Sequence, residues 1–161
     1  MKNPPEPVQD RKLVLTNPYG GFCSQIMPLG LSFISGYLKA NGFTNITFLD
    51  GNRIDIKAAI NTTPCDIIGV TAVTQNLGVS IDFATHVKTF SDVPIILGGV
   101  HVTTAKELPT CFDIGVVGEG ELTMLELMQL PSYDIESLRT VKGICFWNNG
   151  ELEFTEPRPF I

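Results

Sequence analysis

At 161 residues, with 43% hydrophobic and 17% charged side chains, the chain has the make-up of one folded domain and not of a disordered segment. Eleven Lys and Arg against 17 Asp and Glu leave a formal charge of -6, with no basic cluster to offset it, which argues against a nucleic-acid partner. No run approaches the roughly 18 apolar residues of a membrane span, so a cytoplasmic protein without a membrane partner is expected.

After the polar, proline-rich start, residues 1–11 read as a flexible leader. "KLVLT" (Lys12 to Thr16) is a short β-branched run closed by the turn signals of "NPYGG", and predicts a first strand. From Pro28 to Asn41 the spacing of Leu29, Phe33, Tyr37 and Leu38 predicts a helix. Its internal Gly30 and Gly36 suggest close approach to a neighbouring backbone or a ligand. The alternation repeats: "NITFLD" as strand, "IDIKAAINT" as helix, "DIIGVTA" as strand, "LGVSIDFATHVKTF" as helix and "PIILGG" as strand. A helical turn over "TAKEL", a strand over "DIGVVGEG" and a helix over "ELTMLELMQL" follow. Strands alternating with helices predict an α/β fold with a doubly wound, Rossmann-like (flavodoxin-like) five-stranded parallel sheet, its order 2-1-3-4-5. "VKGICFWNNGELEFT" then reads as a β-hairpin turning at Asn148-Asn149-Gly150, and "EPRPFI" as a linker, so the domain is expected over residues 12–155 and the linker over 156–161.

Cys23, Cys65, Cys111 and Cys145 lie 42, 46 and 34 residues apart, so no C-x-x-C pair exists and reduced, mostly buried thiols are expected, with no metal ligands. Four loops converge at the carboxyl edge of the predicted sheet: "TNPYGGFCSQIMP", "TAVTQN", "GGVHVTT" and "GEGE". Gly98-Gly99 clears side chains where a strand ends, so that a ligand can reach backbone amides, although a plain tight turn needs the same residues. His101 is either a solvated loop histidine or a cleft-lining one, His86 is a surface or packing residue, and Glu119 and Glu121 can cap a helix. Asp50 ends the second strand, where a dinucleotide fold carries its ribose-binding acid, but the first loop has neither G-x-G-x-x-G nor a Walker lysine.

Taken in order, "PLGLSFISGYLKANGF", "DIIGVTAVTQN", "IILGGVHVTT", "VVGEGELTMLEL" and "VKGICFWNNGELEFTEPRP" resemble the N-terminal cobalamin-binding domain of class B radical S-adenosylmethionine enzymes. The resemblance implies cobalamin lying over the carboxyl edge of the sheet, lined by Thr71, Val73, Thr74, Gln75 and Asn76, by Gly98, Gly99, Val100, His101, Val102 and Thr103, and by Gly118, Glu119 and Gly120. It implies a parent enzyme of methyltransferase or cyclase type, with S-adenosylmethionine and a [4Fe-4S] cluster in a further domain and no catalytic residue in this chain. Two departures stand out. The first loop holds no histidine to ligate cobalt from below, and the C-x-x-x-C-x-x-C of the radical domain is not in the sequence. The alternatives are a cobalamin-free structural or interaction domain of the same fold and a flavodoxin-like nucleotide- or flavin-binding protein.

Overall fold

The structure, a computed structural model, describes residues 8–19 and 29–159. Cys23 and most of the predicted first loop lie outside these residues. The described chain runs β1 (Leu13–Asn17), α1 (Leu29–Ala40), β2 (Ile46–Asp50), α2 (Ile56–Ile60), β3 (Ile67–Thr71), α3 (Leu77–Lys88) and β4 (Ile95–Gly98). It continues through α4 (Val100–Ala105), β5 (Ile114–Val116), α5 (Glu121–Gln129), α6 (Ile135–Leu138), β6 (Ile144–Asn148) and β7 (Glu151–Phe154).

One sheet of seven strands has the order β2-β1-β3-β4-β5-β6-β7. The first five strands pair in parallel in the order 2-1-3-4-5, as the sequence predicts. The hairpin joins the same sheet, because β6 pairs antiparallel with β5 and β7 with β6. Its turn places Asn149 at φ 51° and Gly150 at φ 84°, the pair of positive angles that matches a two-residue turn to the strand twist.

The central parallel strands, covered on both faces, are buried: β1 has no exposed position, and Ile67 to Val70 are likewise buried, whereas the edge strand β2 exposes Thr47. Alternate strand residues feed two separate cores. On one face Leu13, Leu15, Ile67, Ile96 and Val116 pack under α1, α5 and α6. On the other, Val14, Ile68, Val70, Ile95 and Leu97 pack under α2, α3 and α4.

The helix predicted from Pro28 to Asn41 is present as α1; its residues Leu29, Phe33 and Tyr37 face outward, Leu29 at 66% and Phe33 at 64% exposure, while Leu31, Ser35 and Leu38 are the buried residues. The helix carries two apolar stripes, and the sheet takes the one that includes Leu31. Two expectations are corrected. The turn after β4 is not an open loop followed by a helix over "TAKEL": α4 begins at Val100, directly after Gly99, and ends where Lys106 turns left-handed at φ 54°. The fifth strand stops at Val116, short of "GEG", and one last bond, from Val117 N–H to Gly143 carbonyl at 2.9 Å, continues its antiparallel register with the chain before β6.

Both ends of the described chain are tied to the body. Arg11 donates to Met128 carbonyl at 3.0 Å and to Tyr133 Oη at 3.2 Å. Past β7, Gly143 N–H donates to Glu156 carbonyl at 2.9 Å, and Arg158 reaches Thr123 and Glu126 on α5. Among the described residues, no helix is long and apolar enough to cross a membrane.

Candidate functional site

Strand order 2-1-3 reverses the direction of winding beside β1 and β3, and open α/β sheets bind ligands at such a point, outside the carboxyl ends of the strands. A cavity of about 250 Å³ opens there, between the sheet face and the pair α1 and α5. The register shows how it is built. Leu15, Gly69 and Ile96 lie side by side on β1, β3 and β4, and Thr71 and Gly98 form the next row toward the carboxyl edge. Gly69 and Gly98 leave the floor without side chains at the two central strands. Leu31 and Ile34 of α1 and Met124 of α5 roof it.

Close backbone packing depends on the glycines of the rim. At Gly99, φ is 97°, and a Cβ there would stand 2.5 Å from Ala72 carbonyl oxygen, so the turn from β4 into α4 admits no other residue without strain. This turn is locked to the loop after β3, since His101 N–H donates to Ala72 carbonyl at 3.3 Å and Ala72 N–H to Gly98 carbonyl at 3.0 Å. A Cβ on Gly120 would stand 2.8 Å from Ile34 Cδ1, so Gly120 lets α5 start against α1. Thr103 Oγ1 accepts from Gly118 N–H at 2.9 Å and joins the β4 and β5 ends.

Of the residues named from the sequence, Thr71, Gly98, Gly99, Gly118, Glu119 and Gly120 line the cavity. Val73, Thr74, Gln75 and Val100 are exposed on the rim, and Asn76 is half-buried, its side chain accepting Val73 N–H at 2.9 Å. Val102 and His101 point elsewhere than the cavity. Val102 is packed in the core of the opposite face, and His101 is only 3% exposed, its Nδ1 3.2 Å from Thr74 Oγ1 and its Nε2 without a partner. Thr103 braces the rim through the bond already described.

Sequence reasoning missed the inner lining: Leu15, Leu31, Ile34, Gly69, Ile96, Val116 and Met124. A glycine inside an apolar strand marks close approach, so Gly69 in "DIIGVT" carried a legible signal. Nothing stands within 4 Å of a Cβ placed on Gly30 or on Gly36, so neither marks the close approach of a neighbouring backbone, and of the two Gly30 lines the cavity. A second hollow, of about 530 Å³, lies by Pro94, Asp113 and Ile114 at the amino ends of β4 and β5, away from the converging loops.

Cys65, Cys111 and Cys145 are free, and burial raises the pKa of each, for Cys145 to about 11. Among the described residues, no group of three or more His, Cys, Asp or Glu could hold a metal ion. His86 bonds Asn61 through Nε2 at 2.9 Å.

An apolar slot behind a glycine rim at a sheet edge suits a large, flat cofactor with a pendant arm, and the comparisons agree with it. Residues 22–128 match the B12 binding domain. The chain belongs to the B12 binding domain family. An uncharacterized methyltransferase of Pyrococcus horikoshii is 32% identical over 145 residues, covering 83% of this chain and 31% of its own length. The anaerobic magnesium-protoporphyrin IX monomethyl ester cyclase of Rubrivivax gelatinosus is 34% identical over 114 residues, covering 63% of this chain and 20% of its own length. The radical S-adenosylmethionine methyltransferase TsrM of Kitasatospora setae, solved with cobalamin and a [4Fe-4S] cluster bound, shares the fold at a TM-score of 0.77 and 21% identity. That match covers 94% of this chain and 30% of TsrM. This B12 binding domain thus spans less than a third of the length of each of these relatives.

The cofactor of such a domain is cobalamin, and the residues present fit it. The cavity lies in the same place as the loops that converge on the sheet edge, its inner walls are apolar, and Gly69 and Gly98 put no side chain on its floor.

Proposed function

We propose that this B12 binding domain serves a radical S-adenosylmethionine methyltransferase or cyclase, holding cobalamin with its nucleotide arm in the cavity and its corrin over the glycine rim. The observation that carries the reading is the cavity itself, which opens at the carboxyl ends of β3 and β4 and is roofed by α1 and α5. The two curated relatives support a parent of methyltransferase or cyclase type, and the likeness to TsrM, a radical S-adenosylmethionine methyltransferase, supports a radical domain in cis.

When bound, cobalamin supplies the methyl-transfer or electron-transfer chemistry of its cobalt. The chain's own residues bind, orient and keep out water. Leu15, Ile96 and Met124 exclude solvent from the inner cavity, and Thr71 offers a hydroxyl at its mouth. Val73 and Val100, 42% and 57% exposed on the rim, present an apolar rest for a corrin face. Backbone at Gly98 and Gly99 allows the ring to approach closely.

No protein side chain ligates cobalt in this reading. The loop after β1 carries no histidine, and His101 is buried against Thr74. Passing the purified protein with added cobalamin through gel filtration tests the function: corrin absorption should travel with the protein at near-equimolar ratio, and its loss at micromolar protein overturns the reading. Electron paramagnetic resonance of the Co(II) form should lack hyperfine splitting from a protein nitrogen.

A further inference from the structure

Of the two outer strands of the sheet, β7 is the one supplied by the hairpin, and β5 and β6 separate it from the strands that floor the cavity. The hairpin register decides where its backbone groups point. Asn148 faces Glu151 across the turn, Phe146 faces Glu153, and Thr155 N–H donates to Ile144 carbonyl at 3.0 Å. Bonded and non-bonded pairs alternate along an antiparallel ladder, so Leu152 and Phe154, opposite Trp147 and Cys145, hold the non-bonded positions. Their N–H and C=O groups therefore point outward, where no strand among the described residues pairs with them.

Natural edge strands are closed to further pairing by a proline, a bulge or charged side chains, lysine above all. β7 reads "ELEF", its register with β6 runs one to one, and its glutamates are the only safeguard. They act against an acidic strand and not against a basic one. Leu152 and Phe154 share the face that carries Trp147, with Phe154 44% exposed there. Glu151 and Glu153 share the opposite face, where Arg139 donates to Glu153 at 2.8 and 3.0 Å. Glu151 is exposed and meets no cation among the described residues. A second copy, of charge -6, would set glutamates against glutamates.

We infer that the outer edge of β7 docks an extended segment of a partner protein, in which lysine or arginine alternates with apolar residues, as a further strand of the sheet. Exchange of main-chain bonds with Leu152 and Phe154 supplies affinity, and the alternate side chains supply preference. Apolar residues lie beside Leu152 and Phe154, and basic ones fall on the side of Glu151. One such charged cross-strand pair changes affinity by up to about fivefold.

The test titrates the purified protein with a capped synthetic peptide of alternating lysine and valine. Trp147, the chain's only tryptophan, stands opposite Leu152, so its emission follows occupancy of the edge, and hydrogen exchange reports each amide. Emission should change saturably with a Kd of roughly 1 mM or below. Exchange should slow at Leu152 and Phe154 and stay unchanged at Glu153, which is already bonded to β6. The same peptide N-methylated at its valines should bind at least tenfold more weakly, since those amides face β7. Glutamate in place of lysine should weaken binding about fivefold or more, and Glu151→Lys should cost the lysine peptide about threefold in affinity. Unslowed exchange at Leu152 and Phe154 with millimolar peptide overturns the inference, as does equal binding of the N-methylated or the glutamate peptide. Protection of the two amides that grows with protein concentration alone assigns the edge to a second copy and overturns it too.

Discussion

The two faces of the sheet are made from the same strands and yet do different work. The face under α2, α3 and α4 is filled toward the carboxyl ends of the strands: Val14, Ile68, Leu97 and Phe83 pack without an opening there, and Cys145 Sγ lies 2.6 Å from where a Cβ on Gly115 would be. The face under α1 and α5 is hollow at those ends, because Gly69 and Gly98 stand where the other face carries valine and leucine, and the second hollow, which Phe112 and Ile114 line, lies apart from it at the amino ends of β4 and β5. Filling one face lets the fold afford a hole in the other. The binding site is a local deletion of side chains from a core that is otherwise complete.

That contrast can be broken from either side. Phe83→Ala, on the filled face, should cost about 3–5 kcal/mol, since it removes a fully buried ring and leaves a void. Urea unfolding measures it, and cobalamin affinity per folded molecule should not move. Gly98→Val should do the reverse. A Cβ at Gly98 meets its nearest atoms at 3.9 and 4.0 Å, so the strand accepts it, while the branched methyls enter the cavity. Cobalamin affinity should fall about 30-fold, equivalent to roughly 2 kcal/mol, with an unfolding midpoint close to native. A large loss of stability in this variant would mean that the hollow is structural and not a ligand site.

The filled face was more legible than the hollow one, for a physical reason. Apolar runs such as "DIIGV" and "PIIL" between turn signals specify buried strands, and the alternation with helices then specifies the order 2-1-3-4-5. A cavity has no such pattern. Leu15, Ile96 and Met124 are the same residues that a packed core uses, and only their glycine neighbours differ. The rim glycines Gly98, Gly99, Gly118 and Gly120 were visible because they punctuate loops. His101 and Val102 misled, since "GGVHVTT" reads as one open loop when α4 in fact starts within it and turns both side chains away from the cavity. On α1, periodicity found an apolar stripe without revealing that a second one, through Leu31 and Leu38, meets the sheet.

Smaller effects sharpen the comparison at its edges. Arg158 holds the chain after β7 against α5, donating from Nη2 to Glu126 at 2.5 Å and to Lys142 carbonyl at 3.2 Å, and from Nε to Thr123 Oγ1 at 3.1 Å. Thr123 precedes Met124 of the cavity roof, so the anchor braces the hollow face from outside. Arg158→Ala should cost about 1 kcal/mol after allowance for the partial exposure of Glu126, and calorimetry of the full chain checks it. Arg158→Lys should recover only part of the loss, because an ammonium cannot make the forked set of bonds.

On the filled face the finest probe is pH. Burial raises the Cys145 thiol from 9.0 to about 11, so in the fold it remains neutral where an unfolded thiol has begun to ionise. The folded value lies above the unfolded one, and the contribution to stability is therefore complete below pH 9 and lost as pH rises from about 9 toward 11. At pH 9.0 half of the unfolded thiols are ionised, which favours unfolding by RT ln 2, about 0.4 kcal/mol. Cys65, Cys111 and Tyr133 are also raised by burial and add to the same alkaline loss, so the Cys145 share appears as the difference between the protein and a Cys145→Ala variant titrated together. That variant should start less stable at pH 7, having lost a buried side chain, and should fall less steeply between pH 8 and 9.5. Parallel curves would show that solvent reaches Cys145 in the folded state, and the face described as filled would not be.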